Sequence, residues 1–252
     1  VVISELAAAK VSEINVLNRS DELLFGMDGE ELIGARQNRI LNLSVVFPAN
    51  SESTIPVSCI EEGRWGGAGR FRVGRMHNAR ARARRQIKVS QSIKFSGSAY
   101  SDQGEVWRDV RSKQASMSFS SNSRDLSKVY EENKNPLDRY KDRFPLQEDQ
   151  IGGFFFLEGI VGLELFSDHK TFRALYPKIL DAHAIEAMED LRGPQNVSGM
   201  PEEMEKQLKS IDWDRSHVVG AGDHWRYESK NISATAVVLE DSCIHLSSHI
   251  SV

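Results

Sequence analysis

The feature that most constrains this chain is the order of its hydrophobic periods. Short apolar runs separated by turn residues occupy both ends, and longer segments of helical period lie between them. Alternation at two residues builds half-buried strands and a 3.6-residue repeat builds amphipathic helices, so this order predicts an α+β fold with antiparallel sheet at the ends and a helical middle. At the N-terminal end the runs are 14–17, 23–27, 40–47 and 54–57, broken at 18–21, at Asp28-Gly29 and at 48–53. Asp-Gly between apolar runs signals a hairpin, and the first quarter reads as a β-meander. Strand patterns return at 152–157 and 160–166 around Glu158-Gly159, then at 225–228, 232–239 and 243–246 around Lys230-Asn231 and Glu240-Asp241. The two meanders are expected to share one sheet within a single domain spanning 1–252.

The most regular helix pattern is 167–191, where Phe172, Leu175, Tyr176, Ile179, Leu180, His183, Ala187 and Leu191 recur at spacings of three and four, after a Ser167-Asp168 cap and before Gly193-Pro194. His183 on that stripe reads as a hydrogen-bonded core residue. Further helices are expected at 78–89, 103–115 and 201–211. Residues 90–127 carry twelve serines, and the span from about 70 to 150 reads as a helical, Ser-rich insertion or lid. The longest apolar stretch, 151–166, is interrupted by Glu158 and Glu164 and falls short of the ~20 residues that cross a bilayer. No membrane association is expected. Two cysteines are too few for a disulfide framework and no basic leader opens the sequence, which reads as cytoplasmic.

The net charge of −4 conceals a segment from Arg70 to Lys94 with seven Arg, two Lys and no acidic residue, leaving −13 for the rest. Guanidinium groups hold phosphates well. A solvated basic helix facing the acidic remainder is the simpler reading, and nucleic acid is disfavoured because aromatics flank the run without interleaving.

Chemistry-bearing residues concentrate in two places. The first is Asp28 to Arg39, where Glu30, Glu31, Arg36, Gln37, Asn38 and Arg39 crowd a short span and Gly34 marks a bulge or close backbone approach. The second holds Cys59, Glu61, Arg64 and Trp65. Arg64 would favour a Cys59 thiolate and Glu61 would oppose it, so a buried structural thiol and a nucleophile both remain open. Glu61 with Glu30 or Glu31 suits acid–base work, since carboxylates in different environments divide those roles. On the last strand Cys243, His245, Ser247 and His249 share a face, without the spacing of a metal site. Phosphate-loop, dinucleotide, nucleophile-elbow and zinc-protease motifs are absent from the sequence, and no cofactor is indicated.

The runs DGEELIGARQNRILNLSVVFPA at 28–49 and IPVSCIEEGRW at 55–65 resemble the ARG and rhodanese-phosphatase-superfamily-associated protein domain, a mainly prokaryotic family. DQGEVW at 102–107, GLELF at 162–166 with the following helix, and IHLSSH at 244–249 are similar to its later blocks. The resemblance implies an association with NAD and ADP-ribose processing. By position it carries over Glu30, Glu31, Gln37, Asn38, Arg39, Cys59, Glu61, Arg64 and Trp65, with Gln103, Trp107 and His245. The expected activity is binding, with or without hydrolysis, of an ADP-ribose-like or other phosphorylated nucleotide metabolite. Glu30, Glu61 and Cys59 are the catalytic candidates, and Glu31, Gln37, Asn38, Arg39, Arg64, Trp65 and His245 the ligand-binding ones. The alternative is a non-catalytic interaction domain that presents the Arg face to an acidic partner. In the first case Glu30 or Glu31, Arg39, Glu61 and Arg64 should converge on one cleft.

Overall fold

A computed structural model describes residues 1–8, 10–67, 69–117, 125–189 and 199–251. Eight strands come first: β1 (Val2–Ser4), β2 (Glu13–Asn18), β3 (Leu24–Gly26), β4 (Glu30–Gly34), β5 (Arg39–Leu41), β6 (Val45–Phe47), β7 (Ser51–Cys59) and β8 (Arg70–Met76). Four helices follow, α1 (Ala79–Ser96), α2 (Gln103–Ser116), α3 (Leu126–Glu132) and α4 (Lys134–Arg143). The remainder is β9 (Gly152–Leu157), β10 (Ile160–Phe166), α5 (His169–Ala187), α6 (Met200–Ser210), β11 (Asp214–Ser216), β12 (Asp223–Glu228), β13 (Ile232–Leu239) and β14 (Ser242–Ser251). The α+β class and the strand-rich ends around a helical middle stand as the sequence predicts, whereas the N-terminal strands do not pair in the sequential order of a meander.

The two ends do not share a sheet. Six N-terminal strands close into an antiparallel barrel in the order β1-β2-β7-β5-β4-β8, with Ile3 opposite both Val16 and Phe71. Closure removes both edges, so no strand is left to extend into the C-terminal half. That half forms its own sheet, β11-β12-β13-β14-β10-β9, all antiparallel. Asp28-Gly29 is likewise not a hairpin: β3 pairs with β6 in a separate ribbon, whereas β4 pairs with β5 and β8. Gly29 takes φ +86°, and a Cβ there would lie 2.7 Å from the Arg82 side chain. The turn therefore makes room for an arginine. Gly34 marks a close approach, since its Cβ would lie 2.7 Å from the Arg70 carbonyl oxygen. Glu158-Gly159 and Glu240-Asp241 do join paired strands.

Alternation along the barrel strands sends Ile14, Val16, Leu32, Leu41, Ile55, Val57 and Phe71 inward, where Val89 and Ile93 of α1 join them. Each such burial contributes ~1.5–3 kcal/mol. α5 starts at Asp168, whose carboxylate accepts the Thr171 N–H, and its Phe172, Leu175 and Ile179 pack with Met27, Met76 and Phe166. His183 is a buried core histidine, donating Nδ1–H to the Ile179 carbonyl and stacked on Phe155. The Gly193-Pro194 stop lies outside the described residues. Two further helices follow the serine-rich stretch within the span read as a helical insertion: Val129, Tyr130 and Leu137 of α3 and α4 are buried with Ile40, Ile60 and Ile185.

The basic helix departs most from the sequence reading. It is not a solvated face. α1 lies between barrel and sheet with Arg82 and Arg85 buried, and only Arg80 and Arg84 reach solvent among the four arginines of its first two turns. The basic run also divides, because Arg70, Arg72 and Arg75 belong to barrel strand β8.

Candidate active site

The barrel rim gathers most of the motif residues. β5 begins just after Gln37 and Asn38, β7 ends at Cys59, and their pairing sets Arg39 opposite Cys59. Glu61 follows as the chain leaves the barrel and bridges Asp125, the N-cap of α3. Arg64 donates Nε to Glu61 at 2.8 Å and Nη2 to the Asn38 side-chain oxygen at 3.1 Å, and it also bonds the carbonyls of Ala35 and Gly66. Asn38 donates its N–H to Glu61 at 3.3 Å, and Gln37 bonds the Glu61 carbonyl. Asp125 accepts the Ser127 N–H, and the Ser127 hydroxyl donates to Glu31 at 2.6 Å. A chain of contacts thus runs from Arg64 through Glu61 and Asp125 to Glu31. Trp65, 48% exposed, lies with the Arg36 and Arg39 guanidinium groups 5.7 and 5.5 Å from its ring centre.

The electrostatics of this chain are graded. Burial, opposed by the Ser127 hydroxyl and reinforced by the nearby Asp125 charge, pushes the Glu31 carboxyl up to about 7. Burial and the charge of Glu61 also raise Asp125 above the ordinary carboxylate range. Glu61 itself is ion-paired to Arg64. Adjacent acids in unequal environments are the arrangement from which a proton donor and a proton acceptor arise.

Cys59 stands behind the rim, fully buried, with Arg39 donating Nη1 to its sulfur at 2.9 Å. Burial outweighs Arg39 and pushes the thiol up to about 11. A thiol so placed is protonated at neutral pH and closed to attack. Gln103 supports it from α2, accepting the Cys59 N–H and donating to its carbonyl, both at 2.7 Å. Arg39 is enclosed as well, bonded to Gln37 and Cys59.

Glu30 and His245 lie elsewhere. Glu30 is buried toward α5, with its oxygens occupied by Lys178 at 2.6 Å and the Met27 N–H at 3.0 Å. His245 is in the interior between the barrel and the sheet: Ser44 Oγ is 3.1 Å from Nδ1 and Glu164 is 2.9 Å from Nε2. Arg82 bridges Glu164 at 2.8 Å and Asp28 at 3.0 Å. Ser44, His245 and Glu164 have the connectivity of a nucleophile, base and orienting carboxylate. All three are buried, and the rings of Phe25 and Phe166 cover the imidazole. No substrate carbonyl reaches Ser44, so the trio, with Arg82 of α1, is an interlock of the β5–β6 connection, helix and sheet. Its charges are well compensated: Arg82 and His245 overcome the effect of burial, hold Glu164 near 2 and keep Asp28 well below the ordinary carboxylate range.

The positions that converge at the rim are those of the two motif blocks, and over the whole chain the profile of the ARG and Rhodanese-Phosphatase-superfamily-associated Protein domain matches residues 1–249. The chain belongs to that family. Neither the curated proteins nor the solved structures contain a match. In this family member the rim recruits three residues that sequence reasoning did not assign. Asp125 and Ser127 arrive at the start of α3, at the end of the serine-rich stretch, and only a cap pattern before Leu126 signals them. Arg36 is the third, an exposed guanidinium beside Trp65, while Arg64 is engaged with protein acceptors.

Proposed function

We propose that the barrel rim binds a phosphorylated nucleotide metabolite of the ADP-ribose class and hydrolyses its N-glycosidic bond at the ribose. The observation that carries this reading is the carboxyl series at the rim, in which Glu61 is paired with Arg64 while Asp125 and Glu31 hold protons more tightly than ordinary acids. Glu61 takes a proton from water as base. The oxygen of that water bonds to the anomeric carbon, the bond to the purine nitrogen breaks, and Asp125 gives its proton to the departing base. Glu31, linked to Asp125 through Ser127, is the second proton-holding group and takes the part that the sequence reading divided between it and Glu30. Trp65 offers a face for a base, and Arg36 a guanidinium for the diphosphate. The buried thiol of Cys59 serves the rim as support.

The test is thermal unfolding of the full chain with ADP-ribose, NAD and AMP, followed by product analysis. Ligand at about 100 times its dissociation constant adds ~2.7 kcal/mol of stability. Asp125→Asn should keep that shift and lose turnover. Absence of any shift at millimolar concentration would remove the nucleotide reading; a shift with turnover intact in Asp125→Asn would remove the assigned acid.

A further inference from the structure

A cavity of about 540 Å³ opens beside β9, the outermost strand of the C-terminal sheet, and falls within the size range of small-ligand pockets. Its apolar wall is Phe154 and Phe156 of β9, Tyr176 and Leu180 of α5, and Phe144 from the segment between α4 and β9. Phe144 and Phe154 are 54% and 38% exposed, so these rings are within reach of a molecule in solution. His183 also lines the cavity, stacked on Phe155. Burial pulls its imidazole down to about 4, so it adds no charge to the wall at neutral pH.

Most polar groups of this wall are consumed by the fold. The Tyr176 hydroxyl donates to the Phe144 carbonyl at 2.6 Å, and the side-chain amides of Gln147 and Gln150 donate to the carbonyls of Pro145 and Gly152 at 2.9 and 2.7 Å. These bonds hold the wall in shape. Two donors are left over. Tyr140 and Arg143 stand three residues apart on α4, and so on one face of it, both line the cavity, and neither side chain bonds another described residue. Arg139 is unpaired in the same way and lines an adjoining groove that shares Tyr140, Arg143 and Phe144. Asp138 of the same helix is held by Lys134 and Lys141, and no carboxylate is among the described residues lining either space.

We propose that this cavity binds a carboxylate with an apolar body, the body lying among the phenylalanine rings and the carboxylate accepting from Arg143 and Tyr140. A guanidinium and a phenol are both donors, and a carboxylate can only accept, so the pair selects an anion over a neutral or cationic molecule of the same shape. The aromatic wall supplies the affinity that an exposed arginine alone does not. A fatty acid and an aromatic acid share this chemistry. The site has no residue in common with the barrel rim and does not rest on the reading given for it.

Calorimetric titration of the full chain at neutral pH with octanoate, 3-phenylpropionate, 1-octanol and octylamine tests this. Octanoate or 3-phenylpropionate should bind once per chain, and octylamine, with the body of octanoate and the opposite charge, should be weaker by roughly tenfold or more. Tighter binding of octanoate would identify an aliphatic acid as the occupant, and tighter binding of 3-phenylpropionate an aromatic one. Arg143→Gln, an exposed substitution, should weaken the preferred acid roughly tenfold, leave 1-octanol unchanged and keep the thermal midpoint of the ligand-free protein. Tyr140→Phe, which retains the ring, should weaken the acid by a smaller factor. No binding of either acid at millimolar concentration, octylamine binding as tightly as octanoate, or acid affinity unchanged in both Arg143→Gln and Tyr140→Phe would each overturn the proposal.

Discussion

Two clusters of acids and arginines in this molecule use the same residue types to opposite ends. In the interior Asp28, Glu164, Arg82 and His245 are enclosed and mutually bonded, and their carboxylates are held below the ordinary range. At the rim Glu31 and Asp125 are raised, and the cluster borders exposed Trp65 and Arg36. The difference lies in the count of compensating cations. Arg82 sits between two acids and stabilises the ionised state of both, whereas the guanidinium of Arg64 is bonded to Glu61, leaving Asp125 and Glu31 to burial. A buried acid with a partner is architecture; a buried acid without one is a store for a proton.

Removing Arg82 should have the largest effect on this contrast. Arg82→Met would leave Asp28 and Glu164 buried without the guanidinium they share, at about 3–5 kcal/mol in chemical denaturation. A loss under about 1 kcal/mol would show that the interior charges do not depend on one another. The rim should behave in the opposite sense with pH. Glu31 binds its proton more tightly folded than unfolded, so its contribution is complete below about pH 4.5 and lost as pH rises through 7. The span is roughly 3 kcal/mol. Glu31→Gln should abolish that slope and be the more stable protein at pH 8; an unchanged slope would mean that the titrating group lies elsewhere. The interior acids have lowered values, so their contribution is present above about pH 4 and fades as pH falls toward 2.

A smaller effect separates the support behind the rim from the rim itself. Iodoacetamide should label exposed Cys243 in the native protein and reach Cys59 only on unfolding, and Cys59→Ser should lose ~1–3 kcal/mol through a poorly matched hydroxyl. Rapid native labelling of Cys59 would return it to the list of nucleophiles. Smallest of all, Trp65→Ala should change stability by less than about 0.5 kcal/mol while weakening any nucleotide bound at the rim, as measured by the ligand-induced thermal shift. Equal weakening of fold and ligand would merge the two clusters into one structural unit.

Much of this was legible in the residues. Periodicity located α5, the β9–β10 hairpin and the closing meander, because amphipathic alternation is a local record of which side of an element meets the core. The motif blocks located Gln37, Asn38, Glu61 and Arg64, which do meet, since β5 and β7 pair across the intervening β6 and carry their polar ends to one rim. What the residues could not convey was anything that depends on partners distant in the chain. Glu30 and Glu31 alternate across β4, and only the packing of α5 on one side and α3 on the other makes one a partner of Lys178 and the other a raised acid beside Ser127. The Arg-rich helix read as solvated because an arginine's fate rests on whether acids 54 and 82 positions away close around it, as Asp28 and Glu164 do around Arg82. Closure of the barrel had the same character: one ladder between β1 and β8 separated the two strand-rich ends into different sheets. Local periodicity determined the elements, and long-range charge compensation and strand closure decided which of their polar residues became core and which became site.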